Sequence, residues 1–359
     1  MRLVDLPVPL DLATMEAKLV DEIPGGDGWR FEPKWDGFRC LGFRAGDEVE
    51  LRSKSGKPLG RYFPDMVAAL GALPVDRFVV DGELTIAVNG ELSFDALQMR
   101  LHPAESRVRR LAAEQPACFV LFDCLLGAEG AALLEAPLVS RRAELEALYA
   151  RFRLPTALRL SPGTEDRETA CAWLSEVGSA LDGVVAKRLD SRYAPGERAM
   201  LKIKRMRTAD CVVGGFRYER GGAQVGSLLL GLYDDAGLLD HVGFTSTIAA
   251  AERAELTRRL EALAGGEGFT GAAPGGPSRW SRERDAAWTP LRPELVVEVR
   301  YDHVTADRFR HGAKLVRWRP DKDPRQCTLE QLRAEAAPRR LVRDIRAVDR
   351  KAGGAGAAL

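Results

Sequence analysis

The sequence holds no long apolar run. Nowhere do the ~18 consecutive apolar residues of a membrane span stand together, which excludes a spanning helix. The first residues, MRLVDLPVPLDLATMEAKL, carry acids where a secretory leader has a basic and then an apolar stretch, so a cytoplasmic protein is expected. Cysteine is sparse, and the six (Cys40, Cys118, Cys124, Cys171, Cys211, Cys327) stand apart, with no CxxC pair and no histidine at ligand spacing. Neither a disulfide framework nor a zinc site is indicated, and reduced, mostly buried thiols are expected. Histidine is sparser still. The four (His102, His241, His303, His311) fall in no acid–base pattern. An excess of one charge is missing too: 53 Lys+Arg offset 52 Asp+Glu for a net +1, which taken alone argues against a nucleic-acid partner.

What is present is a two-domain length, 359 residues of ordinary globular composition with 45% hydrophobic residues. The neutral sum conceals a gradient. Between Arg300 and Lys351, 15 basic residues face 8 acidic ones. Composition by itself fits a solvated basic surface as well as a nucleic-acid contact.

Up to about Arg207, strand-like runs (FVVDGELTIAV, CFVLFDCLL, LDGVVAKRL) alternate with helix-like ones (FPDMVAALGAL, LVSRRAELEALYARF, EDRETACAWLSEV). Short turns come after several strands, so the expected fold is an α+β domain with a largely antiparallel sheet, over residues 1–207. From residue 208 the texture changes. Three strands joined by RGGA and DDAG, the helix AERAELTRRLEALA and a strand in LRPELVVEVRYDHV predict a small all-β barrel of the OB type over residues 208–342. The Gly/Pro-rich run from Gly265 to Arg279 is expected to lack order without a partner, and residues 343–359 to form a flexible tail.

Chemistry concentrates in FEPKWDGFRC, where Lys34, Asp36, Gly37 and Arg39 make the pattern K-x-D-G-x-R. On a strand and the turn after it, an amine, a carboxylate and a guanidinium can converge on one phosphate-bearing ligand. A lysine amine that attacks phosphorus forms a phosphoramidate, which readily gives up its phosphoryl group. It attacks only when neutral, so desolvation or neighbouring positive charge has to lower a pKa of about 10.4. A surface turn with an ion pair would also explain this segment on its own.

The order of the motifs downstream decides otherwise. After KWDGFR come LRSKSGKPL, VVDGEL, FVLFDCL, LDGVVAKR, MLKIK and RWRPDK, seven signatures in all, spanning residues 32–322. This set resembles the motifs of the covalent nucleotidyltransferase superfamily, specifically the ATP-dependent DNA ligases. The resemblance implies that Lys34 attacks the α-phosphate of ATP to form lysyl-AMP, with Asp36 and Arg39 beside it. It implies that Glu32 accepts a hydrogen bond from the adenine amino group and that Arg39, with Arg52 or Lys54 of RSKSG, binds ribose and later the 5′-phosphate of a nick. Asp81 and Glu83 alternate on a strand; Glu83 would meet the ribose or a metal. Phe122 would stack on the purine. Asp182 would hold a divalent metal, Mg²⁺ or Mn²⁺, and Lys202 and Lys204, two apart on one strand face, the α-phosphate. Lys187 reads equally as surface charge and as a catalytic group. Arg319, Asp321 and Lys322 resemble the element that swings over the nucleotide and orients the leaving pyrophosphate, with a hinge between Lys204 and Cys211.

Two positions depart from the family pattern. Asp182 stands where glutamate is usual, one methylene shorter, and SKSG replaces SRNG, so Lys54, a point charge, stands where an arginine fork is expected. With 33 residues before Lys34, the nicotinamide-binding domain of NAD-dependent ligases and the large DNA-binding domain of eukaryotic replicative ligases are expected to be missing. The chain resembles the small, stand-alone LigC-type bacterial enzymes. That resemblance implies ATP as cofactor, nicked double-stranded DNA as substrate, a monomer, a role in repair and a repair primase-polymerase as companion. The rivals are an RNA ligase or capping-type guanylyltransferase on the same lysine, and a catalytically idle nucleic-acid-binding protein.

Overall fold

A computed structural model describes residues 1–152, 157–175, 181–275, 287–305 and 307–333. The chain divides into two compact units, Met1–Lys204 and a second beginning at Arg205. In the first unit the strands are β1 (Ala17–Val20), β2 (Trp29–Trp35), β3 (Phe38–Ala45), β4 (Glu48–Ser53), β5 (Arg77–Val88), β6 (Glu91–Leu92), β7 (Ala117–Leu126), β8 (Leu158–Leu160), β9 (Leu181–Arg188) and β10 (Met200–Ile203). Its helices are α1 (Pro64–Gly71), α2 (Phe94–Arg100), α3 (Glu105–Glu114), α4 (Leu138–Arg151) and α5 (Arg167–Ser175).

The ten strands form two main sheets. One runs β1-β10-β9-β2 and the other β4-β3-β5-β7-β8, with β6 on β5; among the described residues only β1/β10 and β7/β8 are parallel. The antiparallel expectation therefore holds, and it stems from short connections such as the Asp36–Gly37 turn, which leads from β2 in one sheet to β3 in the other. One face of the larger sheet packs through Leu51, Phe78, Val80 and Phe119 on Met66 and Leu70 of α1 and Leu145 and Leu148 of α4. Its opposite face, with Leu41, Phe43 and Val79, meets Met15, Tyr193 and Met200. The smaller sheet buries Phe31, Val184, Ala186 and Ile203 against Ala170 of α5. Strand side chains alternate, so Arg39, Asp81 and Glu83, in step with Leu41, Phe43 and Val79, and Glu32 and Lys187, out of step with Phe31 and Ala186, face the gap separating the two sheets.

The second unit contains β11 (Arg207–Tyr218), β12 (Val225–Tyr233), β13 (Leu239–Thr245), α6 (Arg253–Glu261), β14 (Thr289–Pro290), β15 (Val296–Tyr301), β16 (Val304–Thr305), β17 (Arg308–Phe309), β18 (Lys314–Trp318) and α7 (Glu330–Arg333). The main sheet runs β13-β12-β11-β15-β18, with β14 on β11. This is an open OB-type sheet. Among the described residues its two edges approach through a single parallel bridge, Thr245–Ala313, without a continuous closing ladder. Arg207 to Cys211 pair with β15, and Lys204, Arg205 and Met206 lie outside both β10 and β11.

The Gly/Pro-rich run is ordered where it is described. Residues 265–275 are tied down by Gly268 N–H to the Leu291 carbonyl and Gly271 N–H to the Leu239 carbonyl. Phe269 is buried in the core against Trp288 and His241. A composition-based reading overlooks this one aromatic anchor. The rest of the run to Arg279 and the expected tail, 343–359, lie outside the described residues. Among the described residues, no helix is long and apolar enough to cross a membrane.

Candidate active site

A cleft of about 220 Å³ opens in the first unit between the two sheets. The smaller sheet supplies Glu32, Lys34, Lys187 and Lys202, and the larger one Arg39, Glu83 and Phe122. The alternation of strand side chains explains the set: Glu32 and Lys34 are two apart on β2, as are Val185 and Lys187 on β9 and Met200 and Lys202 on β10. Residues 14–17, before and at the start of β1, complete the wall, with Lys54.

Lys34 Nζ lies 2.6 Å from Asp182 Oδ2, and Lys204 Nζ lies 3.1 Å from the same oxygen. Pairing slips between Pro33 and Trp35, and Gly183 adopts φ 137°, which allows Asp182 to meet Lys34 although it is out of step with Val185 and Lys187. Burial pushes the Asp182 carboxyl up, but Lys34 and Lys204 together outweigh it and hold it below its ordinary range. The Lys202 ammonium is shifted down by burial and by the neighbouring charges of Lys34, Lys204 and Lys54. Lys204 is one residue past the end of β10 and is turned to Asp182, whereas Lys202 lines the cleft, so the expected shared strand face is not formed. The glycines of Asp36–Gly37 and Asp182–Gly183 are required by space. A Cβ on Gly37 would stand 2.2 Å from the Leu84 carbonyl oxygen, and one on Gly183 2.0 Å from that of Ile203.

Across the cleft, Arg39 donates from Nε and Nη2 to the two oxygens of Asp81, both at 2.6 Å. Asp81 is wholly buried and also accepts from the Tyr193 hydroxyl at 2.6 Å, while that hydroxyl accepts from the Met15 N–H at 3.0 Å. Burial opposes the Arg39 charge, but Asp81 more than restores it and raises the guanidinium above its usual value. Arg39 lies 4.4 Å from the centre of the Phe122 ring. Glu83 is opposite Arg39 in the β3/β5 ladder. Burial pushes its carboxyl up to about 7, helped by Asp81 and Asp36 and opposed by Arg39 and Lys34. Asp36, in the turn after β2, acts on Glu83 without lining the cleft.

Lys187 is 3% exposed, which removes the surface-charge reading. Its Nζ donates to Glu32 Oε2 at 2.7 Å and to the Phe122 carbonyl at 3.4 Å, and lies 4.6 Å from the Phe122 ring centre. The other oxygen of Glu32 accepts from Arg30 Nε at 3.3 Å. Of the two candidates in RSKSG, Lys54 lines the cleft and pairs with Glu16 at 2.9 Å. Arg52 is turned to Glu50 and to the Gly56 carbonyl. Arg319 and Lys322 belong to the second unit, where both are held by Asp210 and Arg319 also by Asp321. The bond from Arg319 keeps the Asp321 carboxyl down at about 2.

Sequence reasoning missed residues 14–17, Tyr193 and Asp210. None lies in a charged, glycine-punctuated signature. Tyr193, in SRYAPG, carried only the signal of an aromatic residue beside a turn.

A divalent metal fits this donor set only as a companion of phosphate. Among the described residues, no cluster of three or more His, Cys, Asp or Glu could form a cage. Glu83 and Asp182 offer isolated carboxylates, which suits Mg²⁺, an ion that keeps several waters and takes one or two carboxylates plus substrate phosphates.

Comparison with known proteins agrees with this geometry. The family model described as the ATP-dependent DNA ligase domain matches residues 13–204, and that of the ATP-dependent DNA ligase C-terminal region matches residues 221–322. DNA ligase C2 of Mycolicibacterium smegmatis is 47% identical over 92% of this chain and 96% of its own length. The multifunctional non-homologous end joining DNA repair protein LigD of Mycobacterium tuberculosis is 33% identical over 84% of this chain and 37% of that protein. A solved structure titled as a minimal-scaffold study of Lig E DNA ligases covers 86% of this chain and 99% of its own, with TM-score 0.54 and 17% identity, a likeness of fold. A lysine sharing a carboxylate with a second lysine between two sheets, an open OB-type second unit and both family models in sequence lead to one conclusion: the chain belongs to the ATP-dependent DNA ligases and is of the LigC type.

Proposed function

We propose that this ligase seals nicks carrying a 3′-hydroxyl and a 5′-phosphate through a lysyl-AMP intermediate on Lys34. The observation that carries the reading is the Lys34–Asp182–Lys204 contact at the edge of a cleft that also holds Lys202. Lys34 Nζ loses a proton to solvent before it attacks, and Asp182 Oδ2 orients the amine. The lone pair on Lys34 Nζ forms the N–P bond to the α-phosphorus of ATP while the bond from that phosphorus to pyrophosphate breaks. Lys202 and Lys204 offset charge on the α-phosphate as it becomes five-coordinate. The AMP then passes to the 5′-phosphate of the nick, and attack by the 3′-hydroxyl closes the strand and releases AMP. Positioning and charge neutralisation supply most of the rate, which suits a site built of Lys, Arg, Asp and Glu.

In this reading Arg39, rigidly held by Asp81, receives the ribose and later the nick phosphate, Phe122 meets the purine and Glu32 its amino group. Mg²⁺ or Mn²⁺ would be held by Asp182 and Glu83 and would offset phosphate charge. Arg319 and Lys322 orient the pyrophosphate. Repair is the process that the LigD likeness favours. A cytosolic monomer working with a repair primase-polymerase remains an expectation of the LigC resemblance.

The test is sealing of a labelled nicked duplex with ATP, NAD or GTP, with Lys34→Ala as control. ATP alone should support sealing and label the wild type only. Labelling by GTP alone would overturn the reading.

A further inference from the structure

Outside the cleft, four charged side chains of the second unit neutralise one another. Asp210 on β11 has its main chain fixed twice by one residue: its N–H donates to Gln331 Oε1 at 3.0 Å and its carbonyl accepts from Gln331 Nε2 at 3.1 Å. In the ladder it sits opposite Glu298 of β15, whose carboxylate accepts from Arg317 at 2.6 Å. So placed, the Asp210 carboxylate receives Arg319 Nη1 on both oxygens, at 2.9 and 3.0 Å, and Lys322 Nζ at 2.7 Å. The remaining edge of Arg319 goes to Asp321, which is 64% exposed where Asp210 is 13%. Asp210, which both cations share, is therefore less screened than Asp321.

A carboxylate and a phosphate edge offer oxygens that the same guanidinium and ammonium donors can take. They cannot hold the same donors together. We propose that Asp210 is an internal anion that keeps Arg319 and Lys322 assembled, yields them to the outer phosphates of ATP during lysine adenylylation, and takes them back as pyrophosphate leaves. The inference rests on the reading of Arg319 and Lys322 as the pyrophosphate-orienting pair. It makes Asp210 a positioning residue whose carboxylate competes with polyphosphate.

The experiment measures inhibition of lysyl-AMP formation by tripolyphosphate in the full chain. For Asp210→Asn, the half-inhibitory concentration should fall roughly fivefold or more, the lower range of coupling between competing sites. Asp210→Glu should restore wild-type inhibition, which a purely structural role would not require. Gln331→Ala, which frees the Asp210 main chain and leaves every charge in place, should move inhibition the same way by a smaller factor and serves if Asp210→Asn does not fold. Unchanged or weaker inhibition in a folded Asp210→Asn, or in Gln331→Ala where that is the variant in hand, would overturn the proposal. Arg319→Ala separates the two levels: if it alters neither adenylylation nor inhibition, the underlying reading of Arg319 fails and the proposal falls with it.

Discussion

Lys34 and Asp182 meet at 2.6 Å, and the carboxylate oxygen between them also receives Lys204 at 3.1 Å. One anion thus neutralises part of the charge of two ammoniums that, in the proposed reaction, both act near a phosphate. Asp182→Asn removes that anion and leaves the cations to repel each other. Lysyl-AMP formation should fall by about two orders of magnitude, the cost typical of losing one aligned electrostatic group. Gel labelling with α-labelled ATP reads it; a variant that labels at the wild-type rate would show that Asp182 is dispensable.

Arg39 depends on Asp81 and, one bond further, on Tyr193. Asp81→Asn leaves the guanidinium in a half-closed site with a neutral partner. It should destabilise the first unit by roughly 3 kcal/mol, near the lower end for breaking a buried pair. Tyr193→Phe removes one hydrogen bond to a charged group and strands the Met15 N–H, at about 2 kcal/mol. Urea unfolding measures both, and Tyr193→Phe should also raise the KM for ATP because Met15 lines the cleft.

Glu83 gives stability and activity opposite pH dependences. Its folded carboxyl sits at about 7, above the ordinary 4.5, because burial disfavours the charge. Between those values the folded chain binds more protons than the unfolded one, so stability falls as pH rises through that window. The effect is on the order of 1 kcal/mol after allowing for solvent at a partly exposed group. Adenylylation should instead rise across pH 6 to 8 as the carboxylate forms. Glu83→Gln should flatten both profiles in thermal melts and labelling rates.

Gly37 and Gly183 tolerate no side chain. Gly37→Ala and Gly183→Ala each drive a methyl against a backbone carbonyl oxygen, and Gly183 also has a left-handed φ. A loss of about 3 kcal/mol or more is expected, at the severe end for a single substitution. Gly56→Ala, whose Cβ meets nothing within 4 Å, should cost only about 1 kcal/mol from its positive φ. Expression and melting temperatures of the three variants test this order.

Local chemistry made much of this protein legible in its sequence. Alternation at Glu32/Lys34 and at Asp81/Glu83, the turn glycines Gly37 and Gly183, and the helical spacing of Leu138 to Arg151 are properties of neighbouring residues, and the folded chain keeps them. The order of the charged signatures told which chemistry they serve. What local pattern could not supply is which groups meet across sheets. Lys187, an ambiguous strand lysine, is a buried partner of Glu32 because β2 pairs with β9. Tyr193, far from any signature, reaches Asp81 from the connection between β9 and β10. Residues 14–17 wall the cleft because β1 lies beside β10. Phe269 orders a run that glycine content marks as loose, because a core position outweighs the entropy of the chain around it. The sequence by itself determined the family and the period of each strand, and it singled out Lys34 as the candidate nucleophile. Only the tertiary structure decided each charge's partner, because those contacts join residues distant in the chain, 155 positions apart for Glu32 and Lys187, and depend on strand register rather than on neighbours in the chain.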